Sequence, residues 1–370
     1  MNRSLLALMC TALMGCVDTT PPDLSSQLGG GRTAGPYCTV EQLAELPERT
    51  LRIHVIDVGQ GDAIWIQTPW FVDQELETRN ILVDAGPSGQ VDGTGDGGSV
   101  VVSYLLEHGL NVGDPLDAVV VTHAHEDHYG GLATVLSTFT AQGYIDPGYD
   151  GGSDGFIAAR TVALGQVNQG LSFVPAVPSL AAAVPATLND DVKPLLFGSD
   201  VLVSLLWASD IPVQNLSEAG ENTITNNTSV VLSLGWAGRQ VLLMGDAEEA
   251  VEEALLSAHD QGAIDLESDV LKVGHHGSNT SSSEAFLEAV LPSSQKEERW
   301  AVISSGKRSF GGTQLPADDT VERLANHLEP YHLLSTENRD EDKSAGEELG
   351  DDHILIQILP NGAVEACYGQ

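Results

Sequence analysis

Runs of alternating or wholly apolar residues recur along the chain from residue 51 onward and predict a succession of β-strands. The stretch LRIHVIDVGQGDAIWIQT predicts two strands around a Gly-Gln-Gly-Asp turn, and LDAVVVTH predicts a fully buried strand. Segments such as VVSYLLEHGL and AEEAVEEALLSAH place apolar residues three and four positions apart, which is typical of helices. Because no long linker separates the two halves, we predict one α/β domain at 51–370, in which two packed sheets are flanked by helices.

Two segments depart from this pattern. Residues 140–200 are rich in Gly, Ala and Pro and poor in charge, which predicts an insertion with one or two elements of its own. Residues 17–50 begin with VDTTPPDLSSQLGGGRTAGP, a composition typical of a flexible tether, and then lead into the N-terminal segment of the domain.

The first sixteen residues, MNRSLLALMCTALMGC, combine a basic start with an apolar stretch and predict a secretory signal peptide at 1–16. The ending LMGC resembles a bacterial lipobox, although Met14 stands where a small residue is usual. Cleavage before Cys16 and attachment of lipid to its thiol would anchor an exported protein to the cell envelope. Because Val17 rather than aspartate follows the cysteine, we expect retention at the outer membrane if the source is Gram-negative.

Four cysteines occur in the chain, and two of them, Cys10 and Cys16, lie in the signal segment. The other two, Cys38 and Cys367, lie at the two ends of the predicted domain. In an exported protein, such a pair favours a disulfide between the termini over two free thiols.

The charge balance limits the binding partners. Sixteen Lys+Arg against 53 Asp+Glu give a formal net charge of −37. A surface of this sign repels polyanions, so long nucleic acid could bind only at a local exception. A compositional bias of the source organism would produce the same excess of acidic residues.

The segment THAHEDHYGG crowds four side chains that bind metals into six positions: His123, His125, Asp127 and His128. Imidazole and carboxylate are ligands for borderline divalent cations such as zinc. On extended backbone His123 and His125 project to the same side, and the glycine pair that follows permits the turn that Asp127 and His128 require. This pattern predicts ligands for two neighbouring metal ions rather than a solvated polar loop.

A short internal repeat links the segments DAVVVTH at 117–123 and DVLKVGH at 269–275. Both run from an aspartate through an apolar strand to a histidine. A fold of two similar halves would bring both strand ends to one rim. The repeat therefore favours His275 over His276 as a metal ligand.

Together with ILVDAG, LLMGD and LKVGHHGS, the histidine-rich segment resembles the metallo-β-lactamase superfamily over residues 52–358. Within it, HVIDVGQGDA, NNTSVVLSL and DVLKVGHHGSNTSSSEAFL are most similar to the extracytoplasmic hydrolase domain of ComEC-type competence DNA-uptake proteins. The resemblance implies an αββα sandwich of two mixed sheets flanked by helices. Since the channel part of those proteins is absent here, we expect a free-standing, lipid-anchored relative.

The resemblance also assigns ligands for two divalent metal ions, Zn²⁺ or Mn²⁺: His123 and His125 for one ion, Asp127 and His128 for the other, Asp246 as the bridge, and a histidine of the pair His275 and His276. Asp84 matches the aspartate that braces the ligand loop, and Asp57 and Thr122 are further candidates for holding imidazole tautomers. Physical reasoning agrees with a bridging carboxylate, because two cations that share a water need negative charge between them.

The chain departs from the superfamily in one respect. Most members supply another metal-binding histidine between the first motif and the bridging aspartate, but no histidine occurs from Tyr129 to Ala258. Asn226 and Asn227 occupy that region, and an amide oxygen is a weaker and harder ligand than imidazole. We therefore expect a looser first site, at which manganese competes with zinc.

Four residues are candidates for substrate binding: Asp57, Gln60, Asn227 and Ser278. The VGQGD segment, which also contains Asp62, is equally well explained as a tight turn between strands. Ser278 and the helix that Ser281 caps in this prediction could hold a phosphate oxygen on backbone N–H groups, and plain helix capping explains them equally well.

These implications converge on a metallo-hydrolase that attacks a phosphodiester with metal-bound hydroxide. Asp127 and Asp84 organise the centre, and His276 donates a hydrogen bond to the phosphoryl group or protonates the leaving oxygen. The resemblance implies single-stranded DNA as substrate, whereas the charge of −37 argues against a processive nuclease. A small or cell-envelope phosphodiester is the alternative substrate. The alternative class is a catalytically weak metal-binding lipoprotein that acts as a binding module, and no protein partner can be inferred.

Overall fold

The computed structural model describes residues 37–39, 42, 49–72, 75–89, 96–167, 174–175, 197–198, 200–209, 220–306, 309–310, 313–337 and 352–369. The predicted signal peptide 1–16, its Cys16 and the tether that follows lie outside these residues. Within the described part of the chain, no helix combines the length and the apolar character needed to cross a membrane.

The strands, in chain order, are β1 (Leu51–Val55), β2 (Ile64–Val72), β3 (Glu75–Val83), β4 (Pro115–Leu116), β5 (Ala118–Val120), β6 (Thr140–Ala141), β7 (Tyr144–Asp146), β8 (Val174–Pro175), β9 (Leu202–Trp207), β10 (Val231–Trp236), β11 (Arg239–Leu243), β12 (Val270–Lys272), β13 (Trp300–Ile303), β14 (Ser309–Phe310), β15 (Thr313–Gln314), β16 (Leu333–Ser335), β17 (Ile354–Ile358) and β18 (Val364–Tyr368). The α-helices are α1 (Gly97–Glu107), α2 (Glu126–Tyr129), α3 (Leu132–Thr138), α4 (Asp154–Gln166), α5 (Glu221–Asn226), α6 (Glu249–Asp260), α7 (Glu284–Val290) and α8 (Asp318–Ala325). Two short 3₁₀ helices span Gly274–Gly277 and Ser293–Glu298.

Two mixed sheets form the centre of the domain. The first has the order β18-β17-β1-β2-β3-β5-β7-β8 and is antiparallel as far as β3 and parallel beyond it. The second has the order β16-β13-β12-β11-β10-β9, in which β9, β10 and β11 are antiparallel and the other pairs are parallel. Each sheet therefore joins a meander to a parallel segment.

Apolar side chains fill three layers. One cluster contains residues of both sheets, among them Ile53 and Val241, and lies between their inner faces. A second cluster covers the outer face of the first sheet with α1, α3 and α4, and a third covers the second sheet with α6, α7 and α8. The predicted four-layer αββα sandwich is therefore confirmed.

The internal repeat has a structural counterpart where β5 and β12 begin. In each half an aspartate accepts hydrogen bonds from a backbone N–H of the neighbouring strand and from the arginine that precedes that residue: Asp117 from Asn80 and Arg79, and Asp269 from Gln240 and Arg239. Each aspartate thus fixes its strand against the adjacent hairpin. The two strands end at the same rim, where the loops that follow them meet.

The first part of the predicted insertion at 140–200 belongs to the domain itself. β7 pairs in parallel with β5, and α4 buries Phe156, Ala159 and Ala163 against the first sheet and its helices. Residues 140–167 therefore pack as part of the domain, although Ile157, Val162 and Leu164 of α4 remain exposed. Most of the segment from 168 to 199 lies outside the described residues.

The structure joins Cys38 and Cys367 in a disulfide across a sequence separation of 329 residues. Because the bond closes so long a loop, its reduction is expected to lower the free energy of unfolding by about 2–5 kcal/mol. Urea unfolding with and without dithiothreitol, in a protein whose Cys10 and Cys16 are serine, measures this difference. The variant Cys38→Ser/Cys367→Ser is the control and should not respond to dithiothreitol. Two titratable thiols in denatured, unreduced protein would contradict the pairing.

Candidate metal centre

The histidine-rich segment lies on the loop between β5 and α2. Thr122 and His123 continue the direction of β5, and His125 stands immediately before the first residue of α2. The first turn of this short helix then presents Asp127 and His128 to the rim. The turn at Gly61 supports the loop at van der Waals distance, because a Cβ on Gly61 would lie 2.2 Å from the Asp127 carbonyl oxygen.

Asp84 braces the ligand loop from the end of β3. Its Oδ1 accepts a hydrogen bond from the Thr122 backbone N–H at 2.8 Å, and its Oδ2 accepts one from the Thr122 hydroxyl at 2.7 Å. The same Oδ2 lies 2.8 Å from His128 Nδ1. Asp84 is buried, and its own backbone is in the left-handed region, with φ at 58°. This is the place that the sequence predicts for it.

Asp246, which follows β11, lies at the centre of the cluster. Its Oδ2 is 3.3 Å from both His128 Nε2 and His276 Nε2 and 3.6 Å from His123 Nε2. The predicted ligands fall into two groups, His123, His125 and Asp246, and Asp127, His128 and His276, and Asp62 forms a further group with His128 and Asp246. In each group the ligand atoms lie within 4.8 Å of one another. Asp246 is therefore placed to serve both groups.

Neighbouring acceptors determine the tautomers of three imidazoles. The Nδ1 atoms lie 3.1 Å from Thr122 Oγ1 in His123, 2.8 Å from Asp84 Oδ2 in His128, and 2.8 Å from the Ser304 carbonyl oxygen in His276. Each Nδ1 therefore carries a proton, and Nε2 is the nitrogen that would bind a cation at the common centre. The Oδ1 atom of Asp246 is buried and has no hydrogen-bond partner. Converging lone pairs beside an unpaired carboxylate oxygen fit divalent cations.

The protonation equilibria of the cluster differ between its two pairs of histidines. Burial lowers the pKa of His123 and His125, so both are neutral ligands near neutral pH. Burial alone would also lower the pKa of His128 and His276, but the Asp246 carboxylate outweighs it and raises both pKa values well above the ordinary value. Without a bound cation, the protons on these two histidines offset the negative charge of Asp246. A divalent ion would replace them in that role.

The two adjacent histidines, His275 and His276, have the opposite roles from those predicted: His276 lies among the candidate ligands and His275 does not. His276 is buried and belongs to the second ligand group, whereas the Nδ1 of His275 lies 2.9 Å from Thr280 Oγ1 and 3.3 Å from Glu248 Oε1. The prediction of His275 as a ligand is therefore corrected in favour of His276. The reason is local, because the backbone after β12 turns into the 3₁₀ helix Gly274–Gly277, with positive φ at both histidines. The loop after β5 has no such turn, so the sequence repeat is offset by one residue here.

Asn226 and Asn227 lie where the sequence lacks a histidine, but only one of them faces the centre. Asn226 borders the cleft, donates to Glu248 Oε1 at 2.7 Å and has a buried Oδ1 without a hydrogen-bond partner. Asn227 is fully buried and bonds to the Thr223 carbonyl and the Glu248 backbone N–H. The prediction that Asn227 binds substrate is therefore corrected, and Asn226 is the one of the two predicted asparagines that borders the cleft.

The remaining substrate-binding candidates separate in the same way. Gln60 and Ser278 border the cleft, whereas Asp57 accepts a hydrogen bond from the Gly59 backbone N–H and shapes the VGQGD turn. For Asp57 the turn interpretation is the one that the structure supports. The helix cap predicted at Ser281 is also corrected, because Ser283 precedes α7 and the Glu252 carboxylate accepts its backbone N–H.

A cleft of about 450 Å³ opens onto the cluster. Four carboxylates border it: Glu126, Asp127, Asp246 and Glu248. Among the described residues that line the cleft there is no lysine or arginine. The cleft is therefore acidic wherever no cation is bound, and a phosphate group entering it would depend on metal ions for positive charge.

Comparison with known sequences identifies the family of the chain. The pattern of the family described as "Metallo-beta-lactamase superfamily" matches residues 58–293, more than half of the chain. ComE operon protein 3 of Bacillus subtilis is 25% identical over 70% of this chain, and Recombination protein 2 of Haemophilus influenzae is 27% identical over 77%. The chain spans only 28% of the length of each of these relatives. Among solved structures, the metallo-β-lactamase GOB-18 from Elizabethkingia meningoseptica shows 14% identity and a TM-score of 0.31, over 79% of this chain and 93% of that one.

Proposed function

Since the chain belongs to the metallo-β-lactamase superfamily, we propose that it is a metal-dependent hydrolase that cleaves phosphodiester bonds. The observation that carries the proposal is the position of Asp246 Oδ2, within 3.3–3.6 Å of three imidazole nitrogens at the floor of an open cleft. A centre that only stabilised the fold would not need access from solvent.

In this proposal His123, His125 and Asp246 hold one divalent ion, and Asp127, His128, His276 and Asp246 hold the second. Zn²⁺ and Mn²⁺ both suit the mixed imidazole and carboxylate donors. When bound, such ions supply Lewis acidity and lower the pKa of water toward neutrality. Asp84 and Thr122 orient the imidazoles, and Asp246 provides the negative charge between the two cations.

The general acid of the proposed reaction is His275 rather than His276. His276 is buried, and its Nε2 lies within the ligand cluster, 3.3 Å from Asp246 Oδ2. The His275 side chain is 23% exposed and borders the cleft, and its Nδ1 lies 3.3 Å from the Glu248 carboxylate. A carboxylate behind an imidazole fixes its orientation. His275 can therefore deliver a proton to the leaving oxygen from the cleft side.

Two substrate classes fit a phosphodiesterase. One relative is named Recombination protein 2, and recombination acts on DNA, which supports DNA as the substrate. The acidic cleft and the net charge of −37 favour a small or cell-envelope diester with one phosphate, because flanking phosphates of a DNA strand would meet carboxylates. Comparing turnover of a single-stranded oligonucleotide and of bis(p-nitrophenyl) phosphate, each in 50 and 200 mM salt, distinguishes the two classes.

The experiment that tests the proposed function is turnover of bis(p-nitrophenyl) phosphate with added Zn²⁺ or Mn²⁺. We expect Asp127→Ala to lower turnover by at least about 100-fold, because it removes a ligand of the second ion from the edge of the fold. The matched control is Asp319→Ala, an exposed position on α8, which should behave like the wild type. A wild-type protein that binds metal but hydrolyses no phosphodiester would instead be the metal-binding module that the sequence left open.

For the cellular location we propose export and lipid anchoring at Cys16, with outer-membrane retention in a Gram-negative source. The support is the LMGC sequence after a basic and apolar start. In cells that process lipoproteins, Cys16→Ala is expected to release the protein from the membrane fraction. Unchanged partitioning of that variant would refute the anchor.

A further inference from the structure

A buried ion pair lies directly behind the ligand cluster and takes no part in the proposed reaction. Lys272, the last residue of β12, is 2% exposed, and Asp62 in the VGQGD turn is 1% exposed. Lys272 Nζ lies 2.9 Å from Asp62 Oδ2 and also donates to the Val273 carbonyl oxygen at 3.0 Å. The pair connects the first sheet's loop to the last residue of a strand in the second sheet.

The other carboxylate oxygen of Asp62 faces the ligands. Asp62 Oδ1 lies 3.4 Å from His276 Nδ1 and has no hydrogen-bond partner, although it is buried. A carboxylate oxygen of Asp62 also lies within 4.8 Å of ligand atoms of His128 and Asp246. Lys272 thus pairs with Oδ2 of Asp62, and Oδ1 of Asp62 faces the imidazole of His276.

The turn does not require this side chain to hold its shape. The Asp62 backbone N–H donates to the Asp127 carbonyl at 3.3 Å, and the Asp62 carbonyl accepts from the Gly86 N–H at 2.9 Å. These backbone bonds would survive replacement of the carboxylate. A buried ion pair is in general no more stable than apolar residues of the same volume, so stability alone does not account for the pair.

We infer that Asp62 is a positioning residue for His276, and that Lys272 orients its carboxylate for this role. The arrangement parallels Asp84, whose carboxylate lies 2.8 Å from the Nδ1 of His128, the other histidine of the same group. The Ser304 carbonyl accepts the Nδ1–H of His276, and the negative charge of Asp62 Oδ1, 3.4 Å from the same nitrogen, favours this orientation, in which Nε2 faces the ligand cluster. Both imidazoles of the second ligand group are then backed by a carboxylate. The inference rests on the proposed metal centre but not on the substrate.

The test is Mn²⁺ binding, measured by titration calorimetry, together with thermal unfolding of the same proteins without metal. In the variant Asp62→Asn/Lys272→Met no buried charge is left unpaired, so its unfolding temperature should equal or exceed that of the wild type. The Mn²⁺ ion held by Asp127, His128 and His276 should nevertheless bind about 10–100-fold more weakly, because an outer carboxylate has been lost. Asp62→Asn alone, which keeps the side-chain shape, should weaken binding of the same ion.

Two further variants define the comparison. Asp84→Asn should weaken binding of the same ion, whereas Asp269→Asn removes a buried carboxylate paired with Arg239 at the far end of β12 and should lower stability without changing Mn²⁺ affinity. Wild-type affinity for both Mn²⁺ ions in Asp62→Asn and in the double variant would overturn the inference, as would a wild-type protein that binds no Mn²⁺. A protein that binds two Mn²⁺ and hydrolyses nothing would contradict the proposed reaction and leave this inference standing.

Discussion

Asp246→Asn is expected to abolish binding of both metal ions and to lower phosphodiester turnover by at least about 100-fold. The amide keeps the volume of the carboxylate and the backbone hydrogen bond from Asp246 N–H to Ser229 Oγ, so the fold should persist. The variant loses the negative charge that lies 3.3–3.6 Å from three imidazole nitrogens. This charge offsets the repulsion between two neighbouring cations. Metal content after dialysis and turnover of bis(p-nitrophenyl) phosphate measure the two effects.

The matched control for this variant is Asp260→Asn at the exposed end of α6, which should retain both metal content and turnover. Retention of two ions by Asp246→Asn would show that the carboxylate does not bridge them. Loss of turnover at full metal content would leave Asp246 in the reaction but remove it from the metal centre.

The adjacent histidines provide the second large effect, because the structure gives them different tasks. His276→Ala should lose the second metal ion, since the variant lacks one of the three residues in that ligand group. His275→Ala should keep both ions and lose about 10²–10⁴-fold in turnover of diesters with alkyl leaving groups, as expected for a missing general acid. Its turnover of bis(p-nitrophenyl) phosphate should change little, because p-nitrophenolate leaves without protonation.

Metal analysis and the two substrates together decide the assignment. Metal loss from His275→Ala with full occupancy in His276→Ala would restore the assignment that the sequence repeat favours. An equal loss of turnover on both substrates in His275→Ala would argue against proton donation by that residue.

The architecture and the ligand loop could be predicted from sequence because their signals are local. Four ligand candidates lie within six consecutive positions after an apolar strand, and Asp84 and Asp246 each follow a strand of their own. Strand ends meet at one rim in a packed sandwich, so knowing the strands was enough to bring these residues together. The apolar patterns of 51–58 and 269–273 were equally plain.

The rest depends on backbone geometry that residue patterns do not encode. The choice between His275 and His276 depends on a 3₁₀ turn with positive φ at two non-glycine residues, which neither the repeat nor the spacing indicates. Lys272 reads as part of an apolar strand, and only the folded structure places it 2.9 Å from Asp62, 210 positions earlier in the chain. Asn226 and Asn227 are adjacent, and the end of α5 alone determines which one faces the cleft.

The most direct test of the two-metal centre is an anomalous-difference map from crystals grown with Zn²⁺ and collected at the zinc edge. We predict two peaks, one among His123, His125 and Asp246 and the other among Asp127, His128 and His276. A map without a peak at this cluster, or with zinc bound by His275 in place of His276, would contradict the account.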